Sequence, residues 1–584
     1  MRSYRVITLI LFSAAAVGLS RPTWAVADDA KTKAAQKFEL RKKLKEAADA
    51  KRKAESAKPA KATQPVEAAK PVAPKPAVKL PAVLTPAALA KFIDQQIDAR
   101  LKAESIPASE RTTDAEFLRR VSLDLTGTIS TGDESKTFLD STASDKRERL
   151  VATLLASPNY GRHLADLWTT KLFPRDSDNR FVLKDPLRDW FAAEFNKNAS
   201  WAEMTTKLLS TTGDVETNPE VTFFLANRTI DKLTDAVGTH FLGQSVACAQ
   251  CHNHPFTTVK QTEYWELAGF FSKVVADRPR NVNKGGDNNK IGVKEGFGPS
   301  KAKDFFPEAA IKTSPKFLGE ATPKFADREP YRPALAAWVA GPNNPYFAKA
   351  MANRTWALLF GRGLVEAVDD MKDSEDASHP ELLDALALQF AANKFNLKDL
   401  YEAILLSEAY QRSSKPLPSN AKDDELYSHN RVKVMLPEQL YDSLQVLNAT
   451  ALAALPPAKG KGEPKAKPAP MRGGGNQRDQ FVTFFLAGSE TANQAEYEAG
   501  IPQALKLMNS KANLANFPNA FRAFFKPNVK PADAIEAMYL SVLSRRPTAD
   551  ESTRLLAYLD ANGRDSAADI LWALSNSSEF MLIR

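Results

Sequence analysis

The chain has 584 residues, 26% charged and 43% hydrophobic, with two cysteines and a formal net charge of +9; that length predicts two or three domains, and two cysteines exclude a disulfide framework. The charge is uneven: residues 1–27 contribute +3 and residues 28–79 contribute +8, leaving −2 for the remainder. A near-neutral body offers no basic face to phosphates, which argues against nucleic-acid binding.

The N-terminus reads as a secretory signal over residues 1–27. Arg2 and Arg5 precede an apolar stretch, Val6 to Leu19, of about 14 residues, and Ala25-Val26-Ala27 gives a small-x-small cleavage site before Asp28. The stretch is shorter than the roughly 20 residues of a membrane span. No later segment has a long uncharged apolar run, so the expectation is an exported, periplasmic or envelope protein with no transmembrane anchor after cleavage. Residues 28–80 then form a basic Ala/Lys/Pro-rich linker. Its first half, Lys31 to Lys58, suits a solvated helix, whereas Pro59, Pro65, Pro71, Pro74 and Pro76 hold the second half extended.

From Thr85 onward the punctuation is helical. Thr85-Pro86, Ser157-Pro158 and Asn344-Pro345 each set a capping side chain before a proline suited to the first turn. Capping boxes read as Thr113-x-x-Glu116, Ser200-x-x-Glu203, Ser378-x-x-Glu381 and Thr548-x-x-Glu551. Apolar residues recur at helical spacing, as in Leu150, Leu154 and Leu155, or Leu382, Leu383, Leu386 and Phe390. The predicted fold is mostly α: a first helical domain over 81–275, a long irregular connector over 276–330, and a second helical domain over 331–584. Gly and Pro punctuation marks the connector, and a low-complexity loop at 455–478 is expected to be disordered, like the N-terminal spacer.

The chemistry concentrates in Ala247-Cys248-Ala249-Gln250-Cys251-His252-Asn253-His254-Pro255-Phe256. Two thiols at this spacing reach the two vinyl groups of one haem, and the histidine after the second cysteine ligates iron from one side. A small disulfide between Cys248 and Cys251 fits the same residues. So does a zinc site of Cys248, Cys251, His254 and His240, although ligands so crowded strain a tetrahedron. His163 and His240 are candidates for a second axial haem ligand. Gln261 to Phe271 reads as an amphipathic helix whose aromatics either wall a haem or pack as core.

These residues, with their neighbours, resemble a known family. The stretch Thr113 to Gly127, with Asp145-Lys146-Arg147-Glu148-Arg149-Leu150, Ser157-Pro158-Asn159-Tyr160-Gly161 and Cys248 to Phe256, is similar to the first of two paired domains of unknown function. That pair is found in planctomycete-type exported proteins, often fused to or named after cytochrome c modules. Asn353-Arg354-Thr355-Trp356, Leu359-Phe360-Gly361-Arg362-Gly363-Leu364-Val365-Glu366 and Ser378-His379-Pro380-Glu381 resemble the second. The resemblance implies an envelope protein working beside other exported proteins or a redox partner. Two departures stand out: Thr257, Thr258 and Val259 replace the aromatic and acidic residues usual after His-Pro-Phe, and the basic spacer stands where many relatives carry a cytochrome module.

The second domain adds Arg354, Arg362, Asp369, Asp370, His379, Glu381 and Asp384. Asp369-Asp370 suits a metal or an acid–base pair, or a structural ion pair. Three functional readings follow: a haem c protein of envelope electron transfer or oxidation, a non-redox scaffold with a Cys248–Cys251 disulfide, and a metal-dependent hydrolase.

Overall fold

The computed structural model describes residues 82–173, 184–255, 257–277, 292–296, 313–319, 322–371, 377–453, 475–486, 524, 529–563 and 566–584. The signal segment, the basic linker, and much of both 276–330 and 455–478 lie outside the described residues.

Local sequence sets the helices of the first segment: α1 (Pro86–Ala103), α2 (Asp114–Thr126), α3 (Gly132–Asp140), α4 (Lys146–Ala156) and α5 (Pro158–Leu172). Thr85, Thr113 and Ser157 cap α1, α2 and α5, their hydroxyls accepting the backbone N–H of Ala88, Glu116 and Asn159. Thr131 and Glu134 close a full capping box on α3. Next come α6 (Lys184–Asn196), α7 (Trp201–Ser210), α8 (Thr222–Ala226), α9 (Ile230–Val237) and α10 (Gln261–Ala268). Ser200 does not cap α7; its hydroxyl donates to the carbonyl of Lys394, a tertiary partner that outcompetes the local one.

The second segment holds α11 (Arg332–Val339), α12 (Phe347–Phe360), α13 (Pro380–Ala392), α14 (Leu397–Leu406), α15 (Pro437–Ala453) and α16 (Gly475–Leu486). It ends with α17 (Pro531–Leu543), α18 (Ala549–Asn562), α19 (Ala567–Ser575) and α20 (Ser578–Met581). The Thr548–Glu551 box on α18 forms as expected. The Ser378–Glu381 box does not: His379 is the cap residue of α13, and Ser378 Oγ donates to Leu364 O. Asn344 accepts from the N–H groups of both Tyr346 and Phe347, so α12 starts two residues after Pro345. Helix α16 begins at Gly475, inside the stretch read as low-complexity loop.

Strands are few among the described residues. β1 (Gly213–Asp214), β2 (Val274–Asp277) and β3 (Gly292–Glu295) form an antiparallel sheet in the order β1-β3-β2, so part of the expected connector is a strand. β4 (Lys433–Val434) pairs with β5 (Leu582–Ile583).

Residues 77–584 form one compact unit. The larger core cluster runs from Leu89 to Leu436 and draws on both segments. The smaller joins Leu123 and Ile129 to residues of α15 through β5. Buried polar residues of α2 fasten the two. Arg119 donates to Val542 O at 3.0 Å and to Phe580 O, and Arg120 donates to Tyr410 O at 2.7 Å and Arg584 O at 2.6 Å. Asp124 accepts from Tyr410 Oη at 2.8 Å and Lys433 Nζ at 2.7 Å. A buried cation left unpartnered is strongly destabilising, so these contacts fix which face of α2 meets the second segment.

Candidate functional site

The Cys-x-x-Cys-His segment follows α9 through a π-helical turn, Gly238–Leu242, and opens as a 3-10 turn over Ala247–Gln250. That turn points Ala249 inward, into a small core of Val246, Val259, Tyr264 and Leu318, and leaves Cys248, Cys251 and His252 exposed. Helix α10 holds the turn from behind. Trp265 Nε1 donates to Gln250 O at 3.1 Å, and Gln261 Nε2 donates to Cys251 O at 2.9 Å. Tyr264, fully buried, donates to Asp235 Oδ1 at 3.2 Å. Burial pushes the Asp235 carboxyl up to about 6, against the downward pull of that hydrogen bond. The aromatics of α10 are core residues, as the packing alternative had it.

Both thiols are free. His252 Nδ1 lies 2.7 Å from Asn253 O. A carbonyl oxygen only accepts, so Nδ1 carries the proton and the lone pair of neutral His252 sits on Nε2. This is the tautomer that a ligating imidazole adopts when a carbonyl orients it. His254 differs. It is buried, its Nδ1 accepts from Thr257 N at 3.0 Å, and its backbone N–H donates to Val259 O at 2.8 Å. Nδ1 therefore closes the loop and is not available to a metal.

Among the described residues no three His, Cys, Asp or Glu side chains converge as a metal-holding group. The zinc set of Cys248, Cys251, His254 and His240 is therefore not assembled. His240 lies beside Arg354, whose Nη1 donates to its carbonyl at 2.9 Å, and its Nδ1 is buried without a partner among the described residues. Burial and then the positive charges of Lys171 and Arg354 press its pKa down to about 3. His163 lies on α5 with its ring against Gly127; burial holds it at about 4.

Asp369 and Asp370 part company. Asp369 is ion-paired to Lys171 and, at 2.8 Å, to Arg354 Nη2; despite burial, these cations hold its carboxyl far below the usual range. A carboxylate so held is no proton donor near neutrality. Asp370 Oδ1 instead accepts from Ser245 N at 3.3 Å. Both carboxylates tie the segments together, Asp369 through two cations and Asp370 through a backbone N–H. The remaining polar candidates are similarly engaged. Arg362 pairs with Glu425 at 3.0 Å and Asp384 with Lys349 at 2.5 Å, while Glu381 is exposed on the first turn of α13. His379 is buried at 5.7 Å from the Tyr427 ring, with Nδ1 at 3.0 Å from Ser378 Oγ. Burial presses it to about 4.

Residues 92–276 match the family described as PSCyt2, Protein of unknown function (DUF1549), and residues 331–559 match PSD1, Protein of unknown function (DUF1553). The chain carries both domains, in that order. No curated protein and no solved structure matches it. The PSCyt2 domain contains the Cys-x-x-Cys-His turn, and the PSD1 domain contributes Arg354 and Asp369 to the junction with it. Among the described residues no helix is long and apolar enough to cross a membrane.

Sequence reasoning passed over Lys171 and Lys433. Each is one of 79 lysines and arginines, with no local motif to single it out. The only local signal was helical spacing: His163, Leu164, Leu167, Trp168 and Lys171 share one face of α5.

Proposed function

We propose that this is an exported protein that carries one c-type haem on Cys248, Cys251 and His252, serving electron transfer or haem-dependent oxidation in the cell envelope. The observation that carries the reading is the state of the three side chains. Two free, exposed thiols and an exposed imidazole stand on one turn, and Asn253 O holds His252 Nδ1–H so that Nε2 is free to ligate. Export is the companion inference, from Arg2, Arg5, the apolar run and Ala25-Val26-Ala27.

The donor set suits the group. Cys248 and Cys251 would hold the haem, each by adding its S–H across one vinyl group, an addition that would consume no oxidant but require both thiols reduced. When bound, the haem supplies one-electron exchange at iron. The chain's own residues orient and support. Ala249 anchors the turn, Trp265 and Gln261 fix the carbonyls of Gln250 and Cys251, and Asn253 sets the His252 tautomer.

The test is expression of the full chain in a host with c-type maturation machinery. Expected are a Soret band and haem retained after acid–acetone extraction, with Cys248→Ser/Cys251→Ser losing covalent retention and His252→Ala altering the spectrum. A folded, exported protein without retained haem, beside a control cytochrome that is loaded, overturns the reading.

A further inference from the structure

A cavity of about 380 Å³ lies where the two domains meet, and neither thiol is among its lining residues. Two helical faces and one strand build it. Helix α5 contributes His163, Leu164, Leu167, Trp168 and Lys171, and helix α12 contributes Met351, Arg354, Thr355 and Leu358. β4 closes it with Lys433 and Val434. Its size falls in the range of small-molecule sites, roughly 300–1,000 Å³.

Its polar groups divide into engaged and available. Lys433 Nζ donates to Asp124 Oδ1 at 2.7 Å, Leu358 O at 3.0 Å and Leu359 O at 2.8 Å, which uses all three of its protons. Asp124 receives Lys433 on one oxygen and Tyr410 on the other. These two balance each other, and Arg431, also in the lining, pairs with Asp424 at 3.4 Å. Lys171 is different: among the described residues its ammonium has one acceptor, Asp369. Arg354 directs Nη1 and Nη2 to His240 O, Thr239 O and Asp369, but its Nε is buried without a partner among the described residues. Two cations thus share one carboxylate, leaving one positive charge in excess at the cavity wall. Arg354 also lies over the Trp168 ring at 5.2 Å, and Leu164, Leu167, Met351 and Val368 supply apolar surface beside the polar Thr355 and Gln439.

We propose that this junction cavity binds a small organic monoanion, a carboxylate with an apolar body. One negative charge compensates the excess cation of the Lys171–Arg354–Asp369 cluster, and the apolar body covers Leu164, Leu167, Trp168 and Met351. A multiply charged inorganic anion suits it poorly, because the apolar walls do not replace its hydration. Burial and the neighbouring Arg354 hold the Lys171 ammonium at about 8, so an arriving anion favours its protonated form.

Calorimetry on the full chain tests this with 3-phenylpropionate, 3-phenylpropanol and inorganic phosphate as probes. The carboxylate should bind, the alcohol at least about tenfold more weakly, as expected for loss of a charge-assisted hydrogen bond, and phosphate no better than the alcohol. Binding near pH 8 should take up protons, seen as a heat that depends on the buffer. Lys171→Gln should weaken the carboxylate about tenfold and remove the proton uptake. Leu167→Trp, which fills the cavity without touching the ion pairs, should abolish binding and serves if Lys171→Gln does not fold. Equal affinity for acid and alcohol, preference for phosphate, indifference to both substitutions, or no heat from either organic probe at millimolar concentration would each overturn the proposal.

Discussion

Lys433, on a two-residue strand of the PSD1 domain, places its ammonium 2.7 Å from Oδ1 of Asp124 in the PSCyt2 domain, and neither side chain is more than 14% exposed. Two ions taken out of water in this way are held by each other and by the carbonyls of Leu358 and Leu359. Asp124→Asn removes one charge and strands the other, with an expected loss of about 3–5 kcal/mol. Asp124→Asn/Lys433→Met, lacking both charges, should recover much of it. Urea unfolding of the singles and the double measures the coupling; additive losses would refute it.

The Arg354–Asp369–Lys171 cluster predicts a different asymmetry. Asp369→Asn leaves two cations facing each other, and stability should fall by on the order of 3 kcal/mol. Adding Lys171→Met relieves the repulsion and should restore part of the loss. Metal content by elemental analysis should be the same in wild type and Asp369→Asn, because Asp369 serves the cations. A metal that disappears with Asp369 would contradict this.

Two groups should tilt the pH dependence in opposite directions. His163 titrates at about 4 in the fold against 6.5 normally, because burial disfavours its charged form. Between those values the unfolded chain binds the extra proton, so stability present above pH 6.5 is lost as pH falls toward 4. Asp235 is raised from 3.8 to about 6, so between those values the folded chain holds the extra proton and stability falls as pH rises. His163→Leu should flatten the first slope and Asp235→Asn the second. Unfolding midpoints across pH 4 to 8 read both, and an unchanged profile in either variant removes that group from the account.

Gly127 ends α2 at φ +69°, and a Cβ there would stand 2.5 Å from His163 Nδ1. Gly127→Ala combines left-handed strain with a clash against a buried ring, so it should destabilise by more than about 1 kcal/mol. Thermal unfolding beside Gly361→Ala separates the two causes. Gly361 has the same left-handed conformation, at φ +75° and ψ +5°, but the nearest neighbour of its added Cβ is the Lys433 side chain at 3.2 Å, so it should lose less.

How much of this was legible follows from the range of the physics. Thr85, Thr113, Ser157 and Thr548 act on N–H groups two or three residues away, and the sequence displays such pairs directly. Ser200 and Ser378 failed as caps because each found a carbonyl far along the chain, at Lys394 and Leu364. β3 lies in a Gly- and Pro-punctuated stretch and owes its conformation to partners on both sides, which no local pattern reveals. The Cys248–His252 turn was visible as a motif, whereas the orientation of His252 by Asn253 O required coordinates. The junction cavity was invisible, since its walls come from helices and strands hundreds of residues apart, and a near-neutral body conceals one uncompensated cation.

The bond from Arg119 to Phe580 closes a loop of 461 residues, and Arg120 reaches Tyr410 across 290. Contacts of such separation form late, because the entropy of closing the loop must be met before they repay it. Until then two guanidinium groups destined for the interior lack their acceptors. The PSCyt2 domain alone therefore has a reason to stay loose during synthesis, and its compaction waits on the last helices to emerge. A chain with this order of events stays pliable until its C-terminal helices have joined, and locks only then.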